Sequence, residues 1–234
     1  MTMRYINYSR RELEDKATDL LVRFDRERLK KIKPMDVYAV IEKCLNVPYD
    51  WKYLSPDQSI LGATAFDSGY IWVWPENKYY DGLKPFKLEV EKGTILIEAT
   101  LTEQDNRGRE NFTVMHEVFH HVLHKRCFKD MGKNFVHTTY SRTIDGKINC
   151  SDFGLKQIEY QANTCAAAFL MPAKLTIAEY KRRYEEAGFE RIGYGFKWRL
   201  IKGLAKDFGV SKQAMSFRLQ NLGLIDENED NLLK

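Results

Sequence analysis

The chain has 234 residues, which bounds it to one medium domain or a domain with a small appendage. Hydrophobic residues make up 44% of it, enough for a real core, and a net charge of +4 permits nucleic-acid contact without demanding it. The four cysteines (Cys44, Cys127, Cys150 and Cys165) form no C-x-x-C pair, no apolar run reaches membrane-spanning length, and residues 1–11 hold no apolar signal core. Together these exclude a disulfide-stapled secreted module and a membrane protein, and the expectation is a soluble, cytoplasmic protein in a reducing compartment.

Ser9-Arg10-Arg11-Glu12 is a capping-box signature, and Leu13, Ala17, Leu20, Leu21 and Phe24 come after it at helical spacing. Pro34 suits the first turn of a second helix that buries Val37, Tyr38, Ile41 and Leu45. Pro48 and Pro56 interrupt regular structure beyond that helix. Residues 60–66, 70–74 and 94–101 are rich in β-branched and aromatic side chains and read as strands. Asp67-Ser68-Gly69 reads as a hairpin turn joining the first two. Residues 75–92, rich in Pro, Lys and Tyr, read as a loop or excursion.

A polar segment, residues 103–110, leads into an apolar, helix-compatible run that contains His116-Glu117-Val118-Phe119-His120. This is H-E-x-x-H. Residues four apart share a helix face, so the two imidazoles can meet one metal ion. Glu117, one step around, can serve as a base toward an attacking water, the arrangement of zinc metallopeptidases. Two histidines do not complete a catalytic site, which needs three protein ligands. The long form, with Gly and His further along the same helix, is excluded, because Leu123 and Arg126 stand there. His121 lies off the metal face and reads as a surface or packing histidine. His124 continues the face, but about two turns, roughly 12 Å, from His116, and reads as structural.

A long irregular stretch, residues 125–153, separates this helix from another over residues 155–171, and Pro172 then stops or redirects the chain. On the second helix Glu159 and Asn163 share a face, and Ala162, Ala166 and Ala167 allow close approach to a neighbour. Glu159 is the candidate third ligand. Asn163 is the candidate acceptor for the outer ring N–H of a ligating histidine. Cys127 and Cys165 flank the motifs and read as small buried hydrophobes. His137, Tyr140 and Tyr160 are candidate oxyanion donors, none of which can be singled out.

From about residue 191 the chain becomes a basic helical unit. Residues 199–225 read as helix, tight turn, helix, with Gly209 at the turn, Ser211 capping the second helix and Gly223 ending it. Leu204, Ala205, Phe208, Val210, Ala214 and Leu219 would form its core. In a DNA reader Lys212, Gln213, Ser216 and Gln220 would face the groove, with Arg218 among the bases suited to phosphate. The competing expectation is a helix pair that packs only on its own domain or on a protein partner. Residues 226–230 read as a solvated acidic tail.

The block from Asn111 through the motif to His124, followed in order by Glu159-Tyr160-Gln161-Ala162-Asn163 and Ala167-Ala168-Phe169-Leu170-Met171-Pro172, resembles the ImmA/IrrE family of metallopeptidases. The resemblance is detailed over residues 111–172 and reaches the first hundred only in pattern. It implies an α+β fold with a zincin-like core over residues 1–190, a helix-turn-helix-like unit over 191–225 and a tail over 226–234. It also implies that His116, His120 and Glu159 bind zinc, and that Glu117 is the catalytic base of a peptide hydrolase. Its substrate would be a helix-turn-helix repressor, whose loss releases a mobile-element or stress regulon. Such a ligand set holds zinc well and can accept manganese or iron. Two positions depart from the family pattern. Phe119 stands where Gly is usual and Met115 where Ala is usual, and both add bulk to the motif helix. The alternative is a non-enzymatic DNA- or repressor-binding regulator whose metal site is structural.

Overall fold

A computed structural model describes residues 5–33, 35–75, 83–102, 107–128, 136–140, 153–188 and 195–226, with the side chains of residues 137–140 and 153 left out. Helix α1, Arg10–Asp25, begins at the expected capping box, in which Ser9 and Glu12 satisfy each other's backbone N–H groups. Pro34 lies outside the described residues. The second helix, α2, is the short Val37–Val40, capped by Asp36. It widens into a π turn over Ile41–Leu45 that ends at Asn46 with φ 51°. Helix formation there waits for the Asp36 side chain, which accepts from the Ala39 N–H.

Among the described residues six strands come next: β1 Tyr49–Lys52, β2 Ile60–Ala65, β3 Gly69–Val73, β4 Phe86–Val90, β5 Ile95–Glu98 and, later, β6 Val136–Tyr140. They form a four-stranded sheet in the order β1-β5-β2-β6 and a separate β3-β4 ribbon. Among the described residues only the β1-β5 pair is parallel. The hairpin expected between β2 and β3 does not form, because each strand takes other partners. The chain crosses from sheet to ribbon at residues 66–69 and returns at 91–94. The return segment serves both layers: Gly93 N–H donates to the Ala65 carbonyl, Ala65 N–H to the Thr94 carbonyl, and Lys92 N–H to the Ser68 hydroxyl. Strand β4 corrects the expected loop over 75–92; Phe86, Leu88 and Val90 alternate with Lys87 and Glu89, the period of a strand, and that face runs from exposed Phe86 to buried Val90. Strand β6 likewise occupies part of the stretch expected to be irregular.

Strand alternation explains why residues 60–66 and 94–101 are almost continuously apolar: both faces of this sheet are covered. Ala63, Ala65 and Leu96 face the ribbon, where they pack with Ile71, Val73 and Val90. Ile95 and Ile97 face the other way, into the main core with the helices. Gly62 and Thr64 pair with Ile97 and Ile95 and so lie on that same helix face.

The helix layer comprises α1 with α3 Arg107–His124, α4 Phe153–Leu170, α5 Ala173–Glu186, α6 Phe196–Phe208 and α7 Lys212–Asn221. Helix α4 packs on both α1 and α3. Pro172 occupies the N-cap of α5, where its missing N–H costs no hydrogen bond. Gly209, at φ 65°, makes the turn between α6 and α7, and Ser211 caps α7 by accepting from Ala214 N–H. The apolar side chains expected as the core of this pair, from Leu204 to Leu219, join the main core with those of α1, α3 and α4. The start of α3 lies hard against the turn: a Cβ on Gly108 would sit 2.4 Å from the Val210 carbonyl carbon, and Asn111 Nδ2 donates to the Gly209 carbonyl at 2.8 Å. Among the described residues no helix is long and apolar enough to cross a membrane.

Candidate metal centre

Helix α3 presents the H-E-x-x-H motif inside the molecule, with His116 3%, Glu117 0% and His120 0% exposed. The i, i+4 spacing brings His116 Nε2 within 2.8 Å of His120 Nε2. Helix α4, held close by the small side chains of Ala162 and Ala166, supplies the third group. Glu159 Oε2 lies 3.2 Å from His116 Nε2, and Glu159 Oε1 lies 3.2 Å from His120 Nε2. Among the described residues these three converge tightly enough to hold a metal ion, all ligand atoms falling within 4.8 Å of one another.

The charges are coupled accordingly. Burial works against a charged His116, yet the neighbouring Glu159 carboxylate prevails and raises its pKa. Burial also works against ionised Glu159, but His120 and His116 hold its pKa well below the usual carboxylate range. On the outer side of His116, Nδ1 lies 3.1 Å from Asn163 Oδ1. An amide oxygen only accepts, so Nδ1 of His116 carries a proton, and a neutral His116 turns its Nε2 lone pair toward His120 and Glu159. Two ring nitrogens and a carboxylate, buried and converging, are a donor set suited to a divalent metal ion. The residues present therefore fit a divalent metal.

Glu117 points toward the sheet. Thr64 Oγ1 on β2 donates to Glu117 Oε2 at 2.6 Å. A Cβ on Gly62 would lie 2.5 Å from Glu117 Oε1, so only glycine leaves room for this carboxylate. Sequence reasoning singles out neither residue, although an isolated glycine in an apolar strand is itself a sign of close approach. Two further partners escape it as well. His124 Nδ1 lies 3.0 Å from His120 Nδ1, and His124 Nε2 lies 3.1 Å from Gln161 Oε1. The i+4 step from His120 to His124 is the available signal for the first.

The other candidates are dispersed. Tyr160 is about half exposed on α4, next to Glu159. His137 and Tyr140 lie on β6, paired with Thr64 and Ile60, but their side chains are outside the described residues. His121 is buried, and burial, with Lys125 nearby, lowers its pKa to about 4, so it packs as a neutral ring. Cys127 and Cys165 are buried thiols away from the ligand group, and burial pushes Cys165 up to about 12. Phe119 points away from the ligands and meets Phe169 of α4 edge to face at 6.1 Å; Met115 is buried in the same core. The bulk of Phe119 is accommodated by packing between α3 and α4, and that of Met115 within the main core.

In the C-terminal pair, Lys212 and Gln213 are exposed. Two of the expected nucleic-acid contacts are not available. Ser216 is buried, and Arg218 is 2% exposed, held by both oxygens of Glu14 on α1 and donating Nε to the Met171 carbonyl at 3.0 Å. Arg218 thus ties α7 to α1 and to the α4–α5 junction, and a phosphate contact by it is ruled out by burial.

No curated protein matches the chain. The family model described as the IrrE N-terminal-like domain, peptidase family M78, matches residues 89–220, a span that takes in α3 to α6 and all but the last residue of α7. With the motif, the second helix and the converging His-His-Glu group in place, the chain belongs to the ImmA/IrrE family of metallopeptidases.

Proposed function

We propose that this protein is a cytoplasmic, zinc-dependent endopeptidase that cuts a helix-turn-helix transcriptional repressor and so derepresses a mobile-element or stress regulon. The observation that carries the hydrolytic reading is the convergence of His116, His120 and Glu159 beside a fully buried Glu117. The repressor as substrate rests on the family alone.

His116, His120 and Glu159 would hold the metal. Once bound, it supplies Lewis acidity that makes water a nucleophile near neutral pH and polarises the scissile carbonyl. Glu117 is the base: it takes the proton of the attacking water and returns it to the leaving amine. The Thr64 hydroxyl binds one oxygen of that carboxylate and the Gly62 backbone limits the other, so Glu117 is held in one rotamer. Asn163 fixes the ring of His116. A structural metal site has no use for a buried carboxylate oriented in this way, which favours the enzyme over a non-enzymatic regulator.

The test is co-expression with a co-encoded repressor, comparing wild type with Glu117→Gln and measuring repressor integrity and bound metal together. Wild type is expected to cut the repressor. The variant is expected to be slower by a factor of about 100 to 10,000 while retaining metal. Equal repressor loss in both would rule out the peptidase reading.

A further inference from the structure

His120 turns Nε2 toward His116 and Glu159, and Nδ1 away from them toward His124 Nδ1, 3.0 Å distant. His124 continues outward through Nε2, 3.1 Å from Gln161 Oε1. Gln161 in turn donates Nε2 to the Ile6 carbonyl at 2.8 Å. His120, His124 and Gln161 are all buried, so water does not compete for the bonds among them, and the Gln161–Ile6 bond is part-buried.

Each link runs in one direction only. A backbone carbonyl only accepts, so Gln161 must give Ile6 its NH2 group and present its oxygen to His124. That oxygen only accepts, so the His124 proton sits on Nε2. A neutral His124 then offers a lone pair at Nδ1, and His120 must supply the proton from its own Nδ1. A neutral His120, as a metal ligand must be, then has its Nε2 lone pair facing His116 and Glu159. The opposite tautomer would place a hydrogen there and could not hold a metal. Helix α4 therefore contributes Glu159 together with the outer partners of both motif histidines, Asn163 for one and Gln161, through His124, for the other.

We infer that His124 and Gln161, anchored on the Ile6 carbonyl, are positioning residues that fix the tautomer and ring orientation of His120. The segment ahead of α1 is then part of the frame of the metal centre. This rests on the reading of His116, His120 and Glu159 as metal ligands.

The test measures zinc affinity of the full chain by competition with a chromophoric chelator, without any substrate. His124→Phe fills the space but accepts no hydrogen bond, and is expected to weaken zinc binding about 10- to 100-fold. His124→Gln can offer its amide oxygen to His120 and is expected to recover most of the loss. Heteronuclear NMR of labelled imidazoles in the zinc-loaded wild type should show His124 neutral with its proton on Nε2, and His120 protonated on Nδ1. Unchanged zinc affinity in His124→Phe, or a His124 proton on Nδ1, overturns the inference. The NMR measurement needs no variant and decides the matter if His124→Phe does not fold. A protein that passes both tests yet cuts no peptide would refute the peptidase reading and leave the relay standing.

Discussion

Glu117 is bounded on two sides by β2, and the boundary is narrow enough to test with one methyl group. In Gly62→Ala the new Cβ would fall 2.5 Å from Glu117 Oε1, a separation that real atoms do not tolerate. The carboxylate must then move. A displacement of about 1 Å at a catalytic group can cost roughly a hundredfold in rate, whereas overpacking of this kind costs about 1–3 kcal/mol of stability. Gly62→Ala is therefore expected to remain folded, keep its metal and lose most of its activity, as read by thermal unfolding, metal content and repressor cleavage. Wild-type activity in this variant would show that Glu117 does not need the position seen here. The residue scale is also where the sequence is most legible. His116, Glu117 and His120 can be read from spacing on one helix. Glu159 and Asn163 become identifiable only through a second block in the expected order. Thr64, Gly62 and Gln161 are not legible, because their roles depend on which strand or helix face meets the motif helix, and that is settled by tertiary packing.

At the scale of elements, capping and glycine chemistry locate the ends of α1, α6 and α7, because those signals act within four residues. Strand partnership is misread for the opposite reason. Asp67-Ser68-Gly69 has turn chemistry, but a turn does not state which sheet its flanking strands join, and here they join different ones. The link between α5 and α6 offers a pH test. Glu179 is hydrogen-bonded first by Arg182, and against partial burial it is further held by Arg183; its pKa falls to about 2. Arg183 also reaches Asp207 on α6. A carboxylate depressed in the folded state contributes stability that is fully present above its unfolded pKa, about 4.3, and is lost as pH falls toward the folded value. The melting temperature of Glu179→Gln should thus lie below that of wild type at about pH 6 to 7, and the gap should shrink between about pH 4.3 and 2. A gap independent of pH across that window would remove the ion pair as its cause.

For the whole molecule, the α6–α7 pair shares the main core with α1, α3 and α4, and Arg218 joins it to Glu14. Arg218→Ala should cost about 3 kcal/mol, the low end for a buried pair, since the Glu14 side chain keeps 22% exposure and can be rehydrated. Chemical denaturation measures this directly, and a loss under about 1 kcal/mol would mean the pair is not a structural tie. Any nucleic-acid contact must instead use exposed groups. Lys212 qualifies, lying over Trp198 at 5.2 Å with Lys202 on the same ring at 5.1 Å. If the unit binds DNA, a gel shift at low salt should appear and be weakened by Lys212→Ala with Lys202→Ala; with no shift at low salt, the pair serves the fold or a protein partner. The metal centre underlies the peptidase function. A crystal of the zinc-loaded protein, measured at the zinc absorption edge, should show a single strong anomalous peak about 2.0–2.2 Å from His116 Nε2, His120 Nε2 and a Glu159 oxygen. A peak bound elsewhere, or none at these three residues in zinc-saturated protein, would contradict it.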